Sequence, residues 1–282
     1  MIAITGASGQ LGRLVIQSLL DKVSASEIVA IVRNPTSVAD LAAKGVQVRQ
    51  ADYTHPESLA AALVGVDKLL LISSSEVGQR LPQHRNVVDA ARRADVGLLA
   101  YTSLLHADTS PLGLAQEHLD TEAYIKASGL PYVLLRNGWY TENYLASVVP
   151  ALQHGAFIGS AAEGRISSAG RVDYAEAAAA VLIQPARAGK VHELAGDDAY
   201  TLSELAAELS RQSGKSVRYV NLSQAEFKAA LLGAGLPEGL AELLADSDVG
   251  ASKGGLYDDS HQLRALIGRP TTPLAVLLKA AL

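Results

Sequence analysis

The chain is 282 residues long, 49% hydrophobic and 19% charged, with a formal net charge of −5, 24 glycines and no cysteine. That length suits about two domains, or one large α/β domain with an appended lobe, and the apolar fraction supplies a core, which excludes a disordered chain. With 24 Lys and Arg against 29 Asp and Glu and no basic block, nucleic acid is not an expected partner; without cysteine, thiol nucleophiles, disulfides and thiolate metal sites are excluded as well.

From the start, short apolar runs alternate with helical patterns, the rhythm of βαβ units and a parallel sheet. Ile2 to Thr5, Ile28 to Val32, Val46 to Gln50, Lys68 to Ser73, Leu98 to Ser103 and Tyr132 to Arg136 read as six strands. Their near-continuous Leu, Val and Ile content suits strands covered on both faces. Leu11, Leu14, Val15 and Leu19 form one stripe of an intervening helix. Similar patterns recur at Leu59 to Leu63, Val87 to Ala94 and Leu119 to Ala127. After Arg136 a polar, aromatic segment (NGWYTENYL) leads into a Gly- and Ser-rich stretch, residues 157 to 170, read as loop with one short strand at most. Asp173 is placed as the cap of an alanine-rich helix running to about Ile183, and Lys190 to Leu194 as a further strand. Mostly helix follows, opened by capping-box spacings at Thr201/Glu204 and Ser223/Glu226. The expected architecture is α/β: a Rossmann-type doubly wound parallel sheet in residues 1–150, rejoined by the strand at 190–194, and a smaller, mainly helical C-terminal lobe in residues 151–282.

The most informative motif is TGASGQLG, Thr5 to Gly12, directly after the first strand and opening the first helix. Gly6 allows the turn, Gly9 lets backbone approach a pyrophosphate and Gly12 lets helix pack on strand. The pyrophosphate would lie on the helix N-terminus, against main-chain N–H groups and the positive end of the dipole. Arg33 ends the second strand about twenty residues beyond Gly12, where NAD-binding units carry a carboxylate for the ribose 2′-hydroxyl. Its guanidinium matches a 2′-phosphate instead, so NADP(H) is the expected cofactor. Asp52 either accepts from an adenine amino group or caps its own turn. Ser73, Ser74 and Ser75 follow the fourth strand, in the crevice where open α/β sheets bind ligands, and His106 follows the fifth; each has an ordinary structural reading beside the functional one.

None of the ten tyrosines is followed by Lys at the fourth position, so the Tyr–Lys dyad of many short-chain dehydrogenases is missing. What survives is dinucleotide binding without chemistry, or hydride transfer to an acceptor that needs little acid help, such as a quinone or a cationic dye. Asn137, Gly138, Trp139, Tyr140, Thr141 and Glu142 follow the sixth strand and offer polar groups and rings where a nicotinamide should lie; the alternative is an aromatic plug. Tyr140, then His106, are the candidates for orienting or protonating the acceptor. The histidines show no metal-ligand spacing, so no metal is expected. No run approaches the ~20 apolar residues of a membrane span, and the short apolar start lacks a basic leader, so a cytoplasmic protein without membrane contact, monomeric or homodimeric, is expected.

The segments MIAITGASGQLG, IVAIVRNP, VRQADY, LLLISSSEVGQR, AYTSLLHADTSPLGLA, LLRNGWYTENYL and LADSDVGASKGGL make the chain resemble, over essentially its whole length, the NmrA-like atypical short-chain dehydrogenases, in particular those that reduce quinones and triphenylmethane dyes. The resemblance implies a Rossmann domain with a small C-terminal lobe, NADP(H) as cofactor, and NADPH-dependent reduction of quinone-type acceptors. The alternatives are dye reduction and an NADP(H)-sensing regulator without turnover. It places the phosphate loop at Gly6, Ala7, Ser8, Gly9, Gln10 and Leu11, the 2′-phosphate partner at Arg33, the ribose side at Ser73 to Ser75 and the nicotinamide side at Asn137 to Glu142. It also implies that Ser168, Ala169, Gly170, Arg171 and Val172 close over the cofactor.

Overall fold

A computed structural model describes residues 1–184 and 188–282. Strands β1 (Ile2–Ile4), β2 (Ile28–Val32), β3 (Gln47–Gln50), β4 (Lys68–Leu71), β5 (Leu98–Leu104), β6 (Tyr132–Asn137), β7 (Ala156–Gly159), β8 (Lys190–Leu194) and β9 (Arg218–Asn221) follow in chain order. Seven of them form one sheet in the order β3-β2-β1-β4-β5-β6-β8, and its pairs from β3 to β6 are parallel. This is the doubly wound, Rossmann-type α/β fold that the alternating pattern predicts. The chain winds outward from β1 in both directions, so the order reverses between β1 and β4, and a crevice must open at the carboxyl ends of those two strands.

By its contacts the described chain groups into two compact units: Met1–Leu104 with Gln116–Asn137 and Arg171–His192, and Leu105–Ala115 with Gly138–Gly170 and Glu193–Leu282. In the first unit every residue of β2 and of β5 is buried, as strands covered on both faces must be. One core cluster runs from Ala3 and Ile31 through Leu69, Leu71, Leu99, Tyr101 and Leu134 to Val87, Val88 and Ala91 of the helix Arg80–Arg93. Each aliphatic side chain fully removed from water there contributes about 1.5–3 kcal/mol. The alanine-rich helix belongs to this unit and buries Ala175 and Ala177 to Ala180. Its small side chains allow close packing of its backbone.

The second unit holds the parallel pair β7–β9 and most of the late helices. Phe227, Leu231, Ala241 and Ala245 form an apolar cluster between its helices Gln224–Gly233 and Glu238–Ser252. Both expected capping boxes are formed, Thr201 with Glu204 and Ser223 with Glu226. Asp173 is not the cap of the alanine-rich helix, which begins at Arg171; the carboxylate falls in the first turn, where the dipole favours it equally. Between β6 and β7 the chain forms the short helices Thr141–Leu145 and Val148–His154, which the sequence pattern did not mark. Strand β9 is a further element that the apolar pattern leaves unmarked. Among the described residues no helix is long and apolar enough to cross a membrane.

Candidate cofactor-binding site

In the first unit a cavity of about 280 Å³ lies at the carboxyl edge of the sheet. Its lining comes from four successive crossings: Gly6, Ser8 and Gly9 after β1, Ile31 to Arg33 at the end of β2, Ala51 to Tyr53 after β3, and Ile72 to Glu76 after β4, with Gln83 behind. The crevice required by the strand order is therefore present.

The turn after β1 is built as its glycines predict. Gly6 has φ +59°, a left-handed conformation that side chains disfavour. At Gly12 a Cβ would sit 2.5 Å from Gly6 O and 2.8 Å from Ala7 Cα, so helix and loop backbones touch. Ala7 and Leu11 are buried beneath the loop, whereas Ser8, Gly9 and Gln10 are exposed. The helix Gln10–Leu20 has no capping side chain at Gly9 and no acidic residue in its first turn. Its first N–H groups and positive dipole end therefore remain available to an anion.

Arg33 extends from the end of β2 with its side chain 74% exposed, and its nearest counter-charge is Glu76 at 3.6 Å. Asp52 does cap its own turn: Oδ1 accepts from Thr54 N at 2.8 Å and from the Thr54 hydroxyl at 2.7 Å. These two bonds, the main-chain one first, hold its carboxyl below the usual range, so it is an ionised acceptor beside Arg33. Ser73 and Ser74 are half-buried and Ser75 is exposed, all three lining the cavity. Tyr53, Glu76 and Gln83 were not among the sequence candidates. Tyr53 lies one residue past Asp52, and Glu76 one past Ser75, on strand-end loops already implicated; that adjacency was the available signal. The Tyr53 hydroxyl donates to Thr5 Oγ1 at 2.5 Å and lies 2.8 Å from Ile72 O, tying the ends of β1 and β4 to the turn after β3.

Asn137 ends β6, buried, in the first unit. The second unit brings together the two remaining candidate segments. Tyr140 pairs with Ala169 in a parallel bridge, Thr141 N donates to Ala169 O at 2.9 Å, and Ala169 N donates to Trp139 O at 3.2 Å. Gly138 N donates to Leu194 O. The hydroxyls of Thr141, Ser168 and Tyr200 form a buried chain with O···O distances of 2.7 and 2.6 Å. Of the two readings of this segment, Trp139 fits the aromatic plug: its ring is buried against Tyr144, at 6.1 Å between centroids. Tyr140 is half-exposed, Glu142 lies half-exposed in the first turn of the helix Thr141–Leu145, and Ala169 and Gly170 are buried. Arg171 and Val172 open the alanine-rich helix of the first unit.

His106 is half-buried with φ +49°. Its N–H donates to Glu193 Oε2 at 2.8 Å, and its ring lies between Asp258 Oδ2, 3.1 Å from Nε2, and Glu193 Oε2, 3.7 Å from Nδ1. Two carboxylates thus orient the imidazole, and the same main-chain bond stabilises an otherwise unfavourable backbone conformation.

Comparison with known proteins agrees with this geometry. The NAD(P)H-binding family model matches residues 6–185. The chain is 66% identical to quinone oxidoreductase 2 of Escherichia coli over 98% of its own length and 96% of that protein's. The crystal structure of NADPH-dependent quinone oxidoreductase QOR2 from E. coli, complexed with NADPH, matches with a TM-score of 0.97 and 65% identity over 99% of each chain. The triphenylmethane reductase of Citrobacter sp., complexed with NADP(H), matches with a TM-score of 0.96 and 43% identity over 100% of each chain. With the glycine turn, the crevice and the strand order all in place, the chain belongs to the NAD(P)H-binding family, as a protein of the NmrA-like kind.

Proposed function

We propose that the protein is an NADPH-dependent oxidoreductase that reduces quinone-type acceptors. The observation that supports the cofactor is a single cavity that gathers an uncapped helix N-terminus, a guanidinium at the end of β2 and three serines after β4. These are the groups that a diphosphate, a 2′-phosphate and a ribose require. The likeness to quinone oxidoreductase 2 supports the acceptor class.

Bound NADPH supplies a hydride from its nicotinamide; an acceptor quinone gains two electrons and one proton as the hydroquinone anion and takes its second proton from water or a protein donor. In this reading Gly6 to Leu11 hold the pyrophosphate, Arg33 the 2′-phosphate and Ser73 to Ser75 the ribose. Asp52 Oδ2, which takes no protein partner among the described residues, accepts from the adenine amino group. We assign the nicotinamide contacts to the segments Asn137–Glu142 and Ser168–Val172, with Trp139 contributing main chain. Tyr140 and His106 are the residues proposed to orient or protonate the acceptor. Without the Tyr–Lys dyad the enzyme depends on an acceptor whose reduced form is stabilised by its own aromaticity, so positioning carries most of the catalysis.

Following NADPH absorbance with a panel of quinones and triphenylmethane dyes tests the reading. Quinone turnover is expected, with Tyr140→Phe lowering kcat by about tenfold or more if its hydroxyl serves the acceptor. Faster turnover with dyes would favour the dye reductase, and tight NADPH binding without turnover would favour a sensor.

A further inference from the structure

Ser73, Ser74 and Ser75 form no regular structure, yet buried side chains hold the main chain of the middle residue from both sides. His84, fully buried on the helix Arg80–Arg93, accepts from Ser74 N–H at Nε2 over 2.9 Å. Arg80, one turn earlier and 7% exposed, donates Nε to Ser74 O over 2.7 Å. Each is anchored in turn. The Thr121 hydroxyl donates to Glu117 O at 2.9 Å, leaving its oxygen to accept from His84 Nδ1, also at 2.9 Å. Glu117 pairs with Arg80 at 3.4 Å through Oε2 and accepts from Gly78 N at 2.8 Å through Oε1. Since Ser74 N–H donates, Nε2 must be the bare nitrogen, and Thr121 supplies the acceptor that keeps the proton on Nδ1.

Burying an imidazole and a guanidinium behind a loop costs free energy that apolar residues filling the same space would avoid. The arrangement makes physical sense if the loop must adopt one conformation. An unheld strand-end loop loses main-chain entropy when it binds a ligand, and a loop held beforehand does not. We propose that His84 and Arg80 are positioning residues for the cofactor: by fixing the N–H and C=O of Ser74 they hold the Ser73–Ser75 edge of the cavity in its binding geometry before the ligand arrives, with Thr121 and Glu117 aligning them. This rests on the reading of the cavity as a dinucleotide site. Burial first, then the Arg80 charge, pushes the His84 imidazole down to about 3, which keeps it a neutral acceptor across the working range.

His118 is the internal control. It is also buried and bonds to the Tyr101 hydroxyl at 2.8 Å, so it reaches the His84 ring only through Tyr101, 5.4 Å away between centroids, and among the described residues no hydrogen bond joins it directly to the loop. The experiment compares wild type, His84→Phe, His84→Gln, Thr121→Val and His118→Phe by NADPH calorimetry, steady-state kinetics with a quinone, and amide hydrogen exchange of the ligand-free protein. His84→Phe should weaken NADPH binding about tenfold, with kcat at saturating NADPH within about threefold of wild type. His84→Gln, which keeps an acceptor, should recover most of that loss. Thr121→Val frees the tautomer and should weaken binding a few-fold; being nearly isosteric, it carries the test if His84→Phe does not fold. Exchange at Ser74 N–H should accelerate in His84→Phe and Thr121→Val. His118→Phe should lose thermal stability while keeping both NADPH affinity and Ser74 protection. Tight wild-type binding with an unchanged Thr121→Val, or an equal loss of affinity in the His118 and His84 variants, would overturn the inference and leave the cofactor reading standing. Absence of NADPH binding to wild type would overturn both.

Discussion

Arg33 spends its charge almost wholly in water, and its pairing with Glu76 at 3.6 Å is the kind of exposed contact worth under about 1 kcal/mol. Removing the side chain should therefore cost little stability and act mainly on the ligand. Arg33→Ala is expected to weaken NADPH binding by about tenfold to a hundredfold, the loss of a charge-assisted pair, while changing NADH affinity by less than about threefold. Calorimetric titration with both coenzymes measures it, and equal losses would place the guanidinium away from the 2′-phosphate. At this scale the sequence singled out Gly6, Ser8, Gly9, Arg33, Asp52 and Ser73 to Ser75, which line one cavity in the fold, because each stands at a strand end whose position the alternating pattern already marks. It did not reveal Tyr53, Glu76 or Gln83, and it left open whether Trp139 faces a ligand or packs inside, because the side on which a ring lies depends on which neighbours fill the space around it.

Gly12 shows two opposing effects within one element, and their sizes decide the outcome. Alanine is favoured over glycine in a helix interior by about 1 kcal/mol. Here, however, its Cβ would meet Gly6 O at 2.5 Å and Ala7 Cα at 2.8 Å, both backbone atoms that cannot swing aside. Overpacking of that kind costs about 1–3 kcal/mol, so Gly12→Ala should lower stability and displace the phosphate turn as well. Urea midpoints and NADPH affinity are both expected to fall; a stabilised variant would show that the helix can move away from β1 freely. Elements with strong patterns were legible: β2 and β8 fall at the expected residues, and both capping boxes form. The short helices Thr141–Leu145 and Val148–His154 and the strand β9 were not. Pieces this brief have little intrinsic stability and exist through contacts made elsewhere, such as the pairing of β9 with β7.

Across the whole molecule the buried titratable groups oppose one another in acid. In the first unit burial, then the Arg80 charge, lowers His84 and His118 to about 3, against about 6.5 when unfolded. The unfolded chain therefore binds more protons below about pH 6.5, and stability falls as the pH drops from there towards 3. In the second unit burial raises Asp248 to about 6, against about 3.8 when unfolded, with Ser160 N–H and the Tyr144 hydroxyl only partly compensating. Its ionised form is penalised above about pH 6, and that penalty, roughly 3 kcal/mol, is relieved as the pH falls towards 4. Denaturant midpoints measured from pH 7 to 4 should show Asp248→Asn losing ground relative to wild type as the solution is acidified, while His118→Gln gains. Parallel curves for wild type and Asp248→Asn would show that the carboxyl is not perturbed by burial. The amino-acid sequence by itself determined the α/β winding, the glycine turn after the first strand and the cationic residue at the end of the second, because these are written as spacing along the chain. Only the tertiary structure decided which buried side chains stand behind the cavity. His84 and Thr121 are 37 positions apart, and their meeting depends on how two helices pack, which no local pattern records.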